Sequence, residues 1–99
     1  MRVVWSAHSL ADRMQILDYW FVRTGSKVYS RKLDNSFKAI INHLTYFPEM
    51  GRKLDARDER FVVKDAYLIF YRVVNDEIHI IHIWDSRRNP ADLYFSSLP

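Results

Sequence analysis

The strongest constraint on the fold of this chain lies in its last third, where three polar residues separate two apolar runs. The first run covers residues 67–74 and the second covers residues 78–84, with Asn75-Asp76-Glu77 between them. Asparagine and aspartate tolerate left-handed backbone conformations, so a short break of this composition is typical of a hairpin turn. The two runs are therefore predicted to be antiparallel neighbours in a β-sheet.

Two arginines follow the second of these predicted strands. The sequence continues DSRRNP from residue 85, so the strand delivers Arg87 and Arg88 to one edge of the sheet. Strand alternation places Arg72 on the face opposite Tyr71. We expect Arg72 to join Arg60 and the two later arginines there. A concave basic surface lined with aromatic side chains would bind RNA through phosphate contacts and base stacking.

The alternative is that these arginines are solvated surface charges, and the sequence favours this interpretation for Arg72. Carboxylates with which they can pair lie close by in the sequence: Asp58, Glu59, Asp76, Glu77 and Asp85. The formal net charge of +3 is only modestly basic. It fits a nucleic acid and an acidic protein partner equally well, so charge does not choose between them.

The N-terminal half predicts a strand and two helices. Residues 2–5 form the strand, Ser6 or Ser9 caps the first helix, and Gly25 ends it. Ser26 caps the second helix, which closes at Pro48 and Gly51. Apolar residues recur at helical spacing, at Leu10, Met14, Ile16, Leu17, Trp20 and Phe21 in the first helix and at Leu33, Phe37, Ile40, Ile41 and Leu44 in the second. The short link predicts a helical hairpin packed on the sheet.

The remaining segment supplies one more strand. Residues 49–59 are predicted to be a loop, residues 60–64 a strand, and Asp65-Ala66 a tight link to the next strand. The prediction is therefore an α+β fold of order β-α-α-β-β-β, with a two-helix hairpin on one face of a mainly antiparallel sheet. The other face stays open. Ninety-nine residues fit one domain, covering residues 1–99.

Composition excludes several classes of protein. A hydrophobic fraction of 48% supports a packed interior rather than global disorder, and the absence of cysteine excludes a disulfide framework and thiolate metal sites. We see no signal-peptide core and no run of membrane-spanning length, so the expected location is the cytoplasm.

His79 and His82 are an odd number of residues apart on a strand, which predicts opposite faces and no shared metal ion. No cofactor is expected. His82 shares its predicted face with Ile78, Ile80 and Trp84 and is a minor candidate acid/base group.

The whole pattern resembles the RelE/ParE family of bacterial toxins. The resemblance is carried by YLIFYRV at 67–73 and IHIIHIWDSRRNP at 78–90, preceded by FPEMGRK at 47–53 and two amphipathic helices. It runs from about residue 3 to about residue 94. It implies the toxin of a type II toxin–antitoxin system that inhibits growth and stabilises plasmids. It also implies a cognate antitoxin protein that neutralises the toxin in a hetero-oligomer, with an amphipathic segment wrapped over the helices and sheet.

The family has two branches with different targets. Members like RelE cut messenger RNA on the ribosome, with arginines on the scissile phosphate and a late tyrosine assisting proton transfer. Arg88 and Tyr94 have a similar spacing to that arginine and tyrosine, and the resemblance implies a catalytic role for them if this chain is a ribonuclease. However, Leu68 occupies the position of another phosphate-binding arginine of that branch.

Members like ParE inhibit DNA gyrase without a ribonuclease site. The segment from Trp84 through Arg87-Arg88 to Pro90 is more similar to this branch, as is the Leu68-Ile69-Phe70 strand. The resemblance also favours target binding by the Arg87-Arg88 pair. The favoured target is therefore DNA gyrase. A ribosome-dependent ribonuclease is the alternative, and a degenerate, non-toxic relative that only binds its antitoxin is the third interpretation.

Overall fold

The hairpin predicted from the last third lies at the centre of a five-stranded sheet. The computed structural model describes residues 1–54 and 57–88. Its elements are β1 (Arg2–Trp5), α1 (Ala7–Thr24), α2 (Val28–Tyr46), β2 (Arg52–Lys53), β3 (Arg60–Lys64), β4 (Tyr67–Val74) and β5 (Glu77–Asp85). The strand order is β1-β5-β4-β3-β2, with β1 parallel to β5 and the other pairs antiparallel. The predicted α+β class and the two-helix hairpin on a mainly antiparallel sheet are confirmed.

The β4–β5 turn is tighter than predicted. Val74 pairs with Glu77, so Glu77 belongs to β5 and only Asn75 and Asp76 form the loop. Both have positive φ, 48° and 63°. Two consecutive left-handed residues define the type I′ turn, whose twist matches that of the two strands.

A bulge in β5 changes which side chains share a face. Phe70 pairs with His82, whereas Tyr71 pairs with Ile80, so Ile81 is an extra residue in β5. As a result, Ile83 packs in the same cluster as Ile78 and Ile80, and Trp84 packs with Ile81 in a different one. The prediction that Trp84 shares a face with Ile78 and Ile80 is therefore wrong, because strict alternation ignores the bulge.

The predicted helix ends are largely confirmed. The Ser6 side chain accepts a hydrogen bond from the Ser9 N–H at 3.0 Å, which caps α1. Gly25 ends α1 in the left-handed conformation, with φ 71°. The prediction that Ser26 caps α2 is wrong by one residue, because Lys27 occupies the N-cap position; the Ser26 side chain accepts from the N–H of Val28 at 3.1 Å. Neither helix is long and apolar enough to cross a membrane within the described ranges.

The main core lies between α2 and the sheet. The predicted stripe of α2 is buried at Leu33, Phe37, Ile41 and Leu44, and it packs on Ile69, Tyr71, Ile78 and Ile80. The stripe predicted for α1 is partly wrong. Leu10, Met14 and Phe21 are exposed, and only Ile16 and Trp20 pack against this core. The reason is that α1 packs on α2 and on β5, near one side of the sheet, so a narrower stripe of it is covered.

The face of the sheet away from this core, here called the second face, is not an open polar surface. Phe70, Ile81 and Trp84 are buried there and pack with Leu54, Phe61 and Leu68. The fold therefore has a second apolar cluster, and any site on the second face is built at its margins.

Candidate functional site

The two arginines after β5 both line one pocket of about 310 Å³, together with Tyr19 and Tyr67, but their guanidinium groups contact different side chains. The Arg87 guanidinium donates to both carboxylate oxygens of Asp85, from Nε at 2.9 Å and from Nη2 at 2.7 Å. It also lies 5.9 Å from the ring centroid of Trp20, a residue of α1. The hydrogen bonds from Arg87 lower the pKa of Asp85 below its usual value. Arg87 is therefore held on the helical side of the sheet by an ion pair and an aromatic ring.

Arg88 instead lies at the rim of the second face. Its guanidinium carbon is 4.4 Å from the ring centroid of Trp84, which belongs to the second apolar cluster. An arginine over an indole face is attracted by the ring electrons, and Arg88 remains exposed to solvent. This stacking presents a fixed cation beside a buried aromatic residue.

Arg72 also lies on the second face, by its alternation along β4 with Phe70. Its Nε is buried and donates to no acceptor in the part of the chain that the structure describes. The Arg72 charge helps to lower the pKa of Glu59, but the main cause is the hydrogen bonds that Glu59 accepts from Arg57. Arg72 is thus close to a buried carboxylate without a hydrogen-bonded ion pair of its own in the described ranges.

Arg60 faces the opposite side of the sheet, with Val62 and Lys64. Its guanidinium donates to the backbone carbonyl of Gly51 at 3.0 Å and to that of Glu49 at 3.3 Å. These bonds fix the loop between α2 and β2. The position of Arg60 is explained by this loop alone.

The four arginines predicted to form one concave surface do not come together. Arg72 and Arg88 share the second face, whereas Arg60 and Arg87 hold backbone and carboxylate oxygens elsewhere. Arg72 and Arg88, the two arginines on the second face, are also far apart along the strands. Arg72 pairs with His79, whereas Trp84, on which Arg88 is stacked, pairs with Leu68, four residues before Arg72 on β4. The predicted Tyr94 lies outside the described residues, as do Asn89 and Pro90.

The two histidines of β5 each lie beside a carboxylate of their own. His82 Nδ1 lies 3.1 Å from Asp12 Oδ2, and the same oxygen accepts from the N–H of Ile83 at 3.1 Å. His79 Nε2 lies 3.1 Å from Glu77 Oε1. Across residues 1–54 and 57–88, no three histidine, aspartate or glutamate side chains are grouped as ligands for an ion.

Asp12 was missed as a partner of β5, although the sequence carries a signal. Asp12 lies four residues before Ile16 and eight residues before Trp20, so the three share one face of α1. Both Ile16 and Trp20 pack against the core. A carboxylate on the buried stripe of a helix needs hydrogen-bond donors. Here the donors are at β5, beyond the last residue that β1 pairs with.

Sequence comparison assigns the fold to a family. The family described as "ParE toxin of type II toxin-antitoxin system, parDE" matches residues 3–90, which is most of the chain. The chain belongs to the ParE toxin family. A curated relative, Toxin RelE2 of Caulobacter vibrioides, is 31% identical over 87 residues, covering 88% of this chain and 97% of that protein.

A solved structure shares the fold of this chain. The structure titled "Chromosomal ParDE TA system from P. aeruginosa" matches with a TM-score of 0.71 and 22% identity. The match covers 84% of this chain and 92% of that chain. The fold of this chain, with its helical hairpin and sheet, is therefore shared with that structure.

Leu68 has a defined role in this ParE family chain. It lies on β4 opposite Trp84 and packs with Phe70 and Trp84 in the second apolar cluster. The resemblance to the ribonuclease branch expects an arginine here. The leucine instead adds to the second apolar cluster. Trp84 of this cluster is the residue on which Arg88 is stacked.

Proposed function

We propose that this chain is a growth-inhibiting toxin that binds DNA gyrase in the cytoplasm, and that a cognate antitoxin neutralises it. The observation that carries the proposal is the second face of the sheet around Leu68. The position at which the ribonuclease branch holds a phosphate is part of an apolar cluster with Trp84. Arg88 lies at the margin of that cluster. The exposed Arg88 and the half-buried Leu68 at the margin of this buried cluster suit contact with a protein.

The spacing of the cations supports binding rather than phosphate chemistry. Residues 72 and 68 are four positions apart on β4, which at about 3.3 Å per residue is roughly 13 Å. Stabilising one phosphate in a transition state requires donors that converge within about 3 Å of the same oxygens. Arg72 and the Arg88–Trp84 pair are better placed to contact separate points of a broad surface.

The chemistry of Arg88 and Trp84 also fits a protein target. Arginine and tryptophan are enriched among the residues that contribute most to protein interfaces. Trp84 is almost fully buried, so its position is fixed before binding, and Arg88 is stacked on it. A cation ordered in advance loses less conformational entropy when it binds. We assign Arg88 as the main target contact and Arg72 as a second one.

The family supports neutralisation by a partner protein. The matching family is described by a two-protein system, and the solved neighbour is titled as one. The formal charge of +3 on this chain is compatible with an acidic partner protein. A toxin–antitoxin hetero-oligomer is the assembly that we propose.

Expression of the chain alone in bacteria tests the proposed function. We expect growth arrest, induction of the SOS response and gyrase-dependent DNA breaks. The 5′ ends of cellular messenger RNA should keep the distribution seen without induction. The wild type is compared with the Arg88→Glu variant, expressed to the same soluble level. This variant should permit growth, because it loses the proposed main contact with the target.

Two results would contradict the proposal. New message ends at ribosomal A sites without DNA breaks would support the ribonuclease alternative, with Arg88 and Tyr94 in catalytic roles. Unaffected growth at confirmed soluble expression would support a degenerate relative that only binds its antitoxin.

A further inference from the structure

A row of apolar side chains lies on the outer side of α1, outside both apolar clusters of the described residues. Leu10, Met14 and Phe21 are 44%, 57% and 41% exposed, and Leu17 is half-buried. Spacings of four, three and four residues place these four side chains on one face of the helix. We call them the α1 row. The fold leaves this row without a function inside one copy of the chain.

The spacing of the α1 row is that of a seam between two helices. Apolar residues that alternate at spacings of four and three are the a and d positions of a coiled coil, and they pack into holes on a facing helix. Single exposed apolar side chains are common on protein surfaces. A continuous row over about three turns of one helix instead marks a contact surface.

A groove of about 370 Å³ between α1 and α2 adjoins the α1 row. Leu17 and Phe21 of the row line it, and its charged residues carry both signs: Asp18, Asp34, Lys27 and Arg31. Lys27 Nζ lies 5.7 Å from the ring centroid of Phe21, so one of these cations lies over the end of the row. The surface therefore combines an apolar row with charges of opposite sign.

Part of the charge in this groove is left for a partner. Asp34 accepts hydrogen bonds from Nε and Nη2 of Arg13, at 2.7 Å and 2.8 Å. Within residues 1–54 and 57–88, Asp18, Lys27 and Arg31 take part in none of the ion pairs. A partner with charges of a single sign would pair with only some of these three. A second copy of the chain brings both signs, as a self-complementary contact requires.

The outer side of the helical hairpin is large enough for a specific dimer. α1 has 18 residues and is about 27 Å long, and two helices side by side are roughly 20 Å wide. Each copy therefore offers about 500 Å², and two copies bury about 1,000 Å², which is the lower end for a specific interface. The expected association is accordingly weak.

We infer that two copies of this chain associate through the α1 row, with the outer sides of their helical hairpins in contact. The apolar side chains of the row interlock, and Asp18 of each copy pairs with Lys27 or Arg31 of the other. The contact has two-fold symmetry, because the same surface serves both copies. Arg72 and Arg88 lie on the second face of the sheet, so the dimer forms whichever target the chain inhibits.

Sedimentation equilibrium of the full chain, purified without a partner, measures the association. We expect the mass to rise from that of one chain, 11.9 kDa, toward twice that value between about 1 and 100 µM. Met14→Glu places a carboxylate from each copy in the apolar row and should weaken dimerisation by at least about 10-fold. Circular dichroism and thermal denaturation check its fold. Glutamate is a good helix former, and Met14 is exposed, so the helix should persist.

The matched control is Met50→Glu. Met50 is 45% exposed and lies between α2 and β2, outside both the α1 row and the lining of its groove. The control exchanges the same residue types and changes the net charge by the same amount. Its dimerisation should stay within about 3-fold of the wild type, because a charge outside the contact is screened by salt.

Chemical cross-linking locates the contact directly, because the chain contains no cysteine. Met14→Cys puts a single thiol on the α1 row. A bis-maleimide with a spacer of about 10 Å, close to the distance between the axes of packed helices, should join two copies of this variant. Met50→Cys, treated at the same concentration, should remain largely uncross-linked.

Three results would overturn the inference. The first is a wild-type chain that stays monomeric at about 100 µM. The second is equal dimerisation of Met14→Glu and Met50→Glu, and the third is equal cross-linking of Met14→Cys and Met50→Cys. A Met14→Glu chain that still dimerises but no longer binds its antitoxin would assign the α1 row to the antitoxin instead. None of these results bears on inhibition of gyrase, which is measured separately.

Discussion

The Arg88 guanidinium lies 4.4 Å from the ring centroid of Trp84, at the margin of an apolar cluster that includes Leu68. Arg87, the preceding residue in the sequence, is bound instead by Asp85 and lies near Trp20. Adjacent arginines of the same charge therefore differ in what they can contact. This difference gives the sharpest prediction about the target surface.

Replacing Arg88 by alanine should weaken target inhibition by about 10-fold or more, the usual consequence of truncating an important interface arginine. Thermal stability should change little, because Arg88 is exposed. The measurement is the concentration that halves DNA supercoiling by purified gyrase. Arg87→Ala is the comparison and should have the smaller effect. A larger loss for Arg87→Ala than for Arg88→Ala would contradict the assignment.

Tyr71→Phe should destabilise the fold by about 1–3 kcal/mol, since it leaves a buried backbone donor unsatisfied. The Tyr71 hydroxyl accepts from the N–H of Gly51 at 2.9 Å and donates to the carbonyl of Pro48 at 2.8 Å. A Cβ at position 51 would overlap the phenol ring, which explains the glycine. Thermal denaturation measures the change. Tyr46→Phe, at a largely exposed position, should be neutral; equal effects of the two substitutions would refute the anchoring role.

Asp34→Asn should lower stability at neutral pH and have little effect in strong acid. Hydrogen bonds from Arg13 lower the pKa of Asp34 in the folded protein. A carboxylate with a lowered folded pKa contributes stability above its unfolded pKa of about 4, and that contribution is lost as the pH falls through the folded value. The expected loss at pH 7 is about 1–2 kcal/mol. Urea unfolding at pH 7 and at pH 2 measures it. A loss that is equal at both pH values would argue against the ionised Asp34 as its source.

Asp12→Ala should destabilise the contact between α1 and β5 by about 1–3 kcal/mol, because the N–H of Ile83 loses its acceptor. Asp12→Asn keeps a side-chain oxygen that can accept this bond and should cost less. Hydrogen exchange at Ile83 reports the bond directly. Protection of that amide in Asp12→Ala equal to that of the wild type would show that the bond is unimportant.

Much of the fold followed from local sequence signals. The boundaries of β1, β3 and β4 were predicted as observed, because apolar runs there end at turn residues such as Asp65 and Asn75. Gly25 marked the end of α1, because glycine readily adopts the left-handed conformation in which helices end. β2 was missed because Arg52 and Lys53 are both exposed and carry no apolar alternation.

The candidate site was less predictable, since it depends on three-dimensional packing. The bulge at Ile81 shifts the faces of β5 by one residue. The alternation of isoleucine and histidine changes phase at Ile80-Ile81, and an interpretation by strict alternation overlooked this signal. Arg87 and Arg88 are the same residue type, so their separation depends on the nearby Asp85, Trp20 and Trp84 side chains.

Inhibition of gyrase by this chain is measured in the supercoiling reaction of the purified enzyme, with the chain as the only addition. We expect inhibition that increases with the concentration of the chain, is weakened by Arg88→Ala, and is relieved by the co-purified antitoxin. Full supercoiling activity at a large excess of the folded chain, together with cleavage of messenger RNA when ribosomes are supplied, would contradict it.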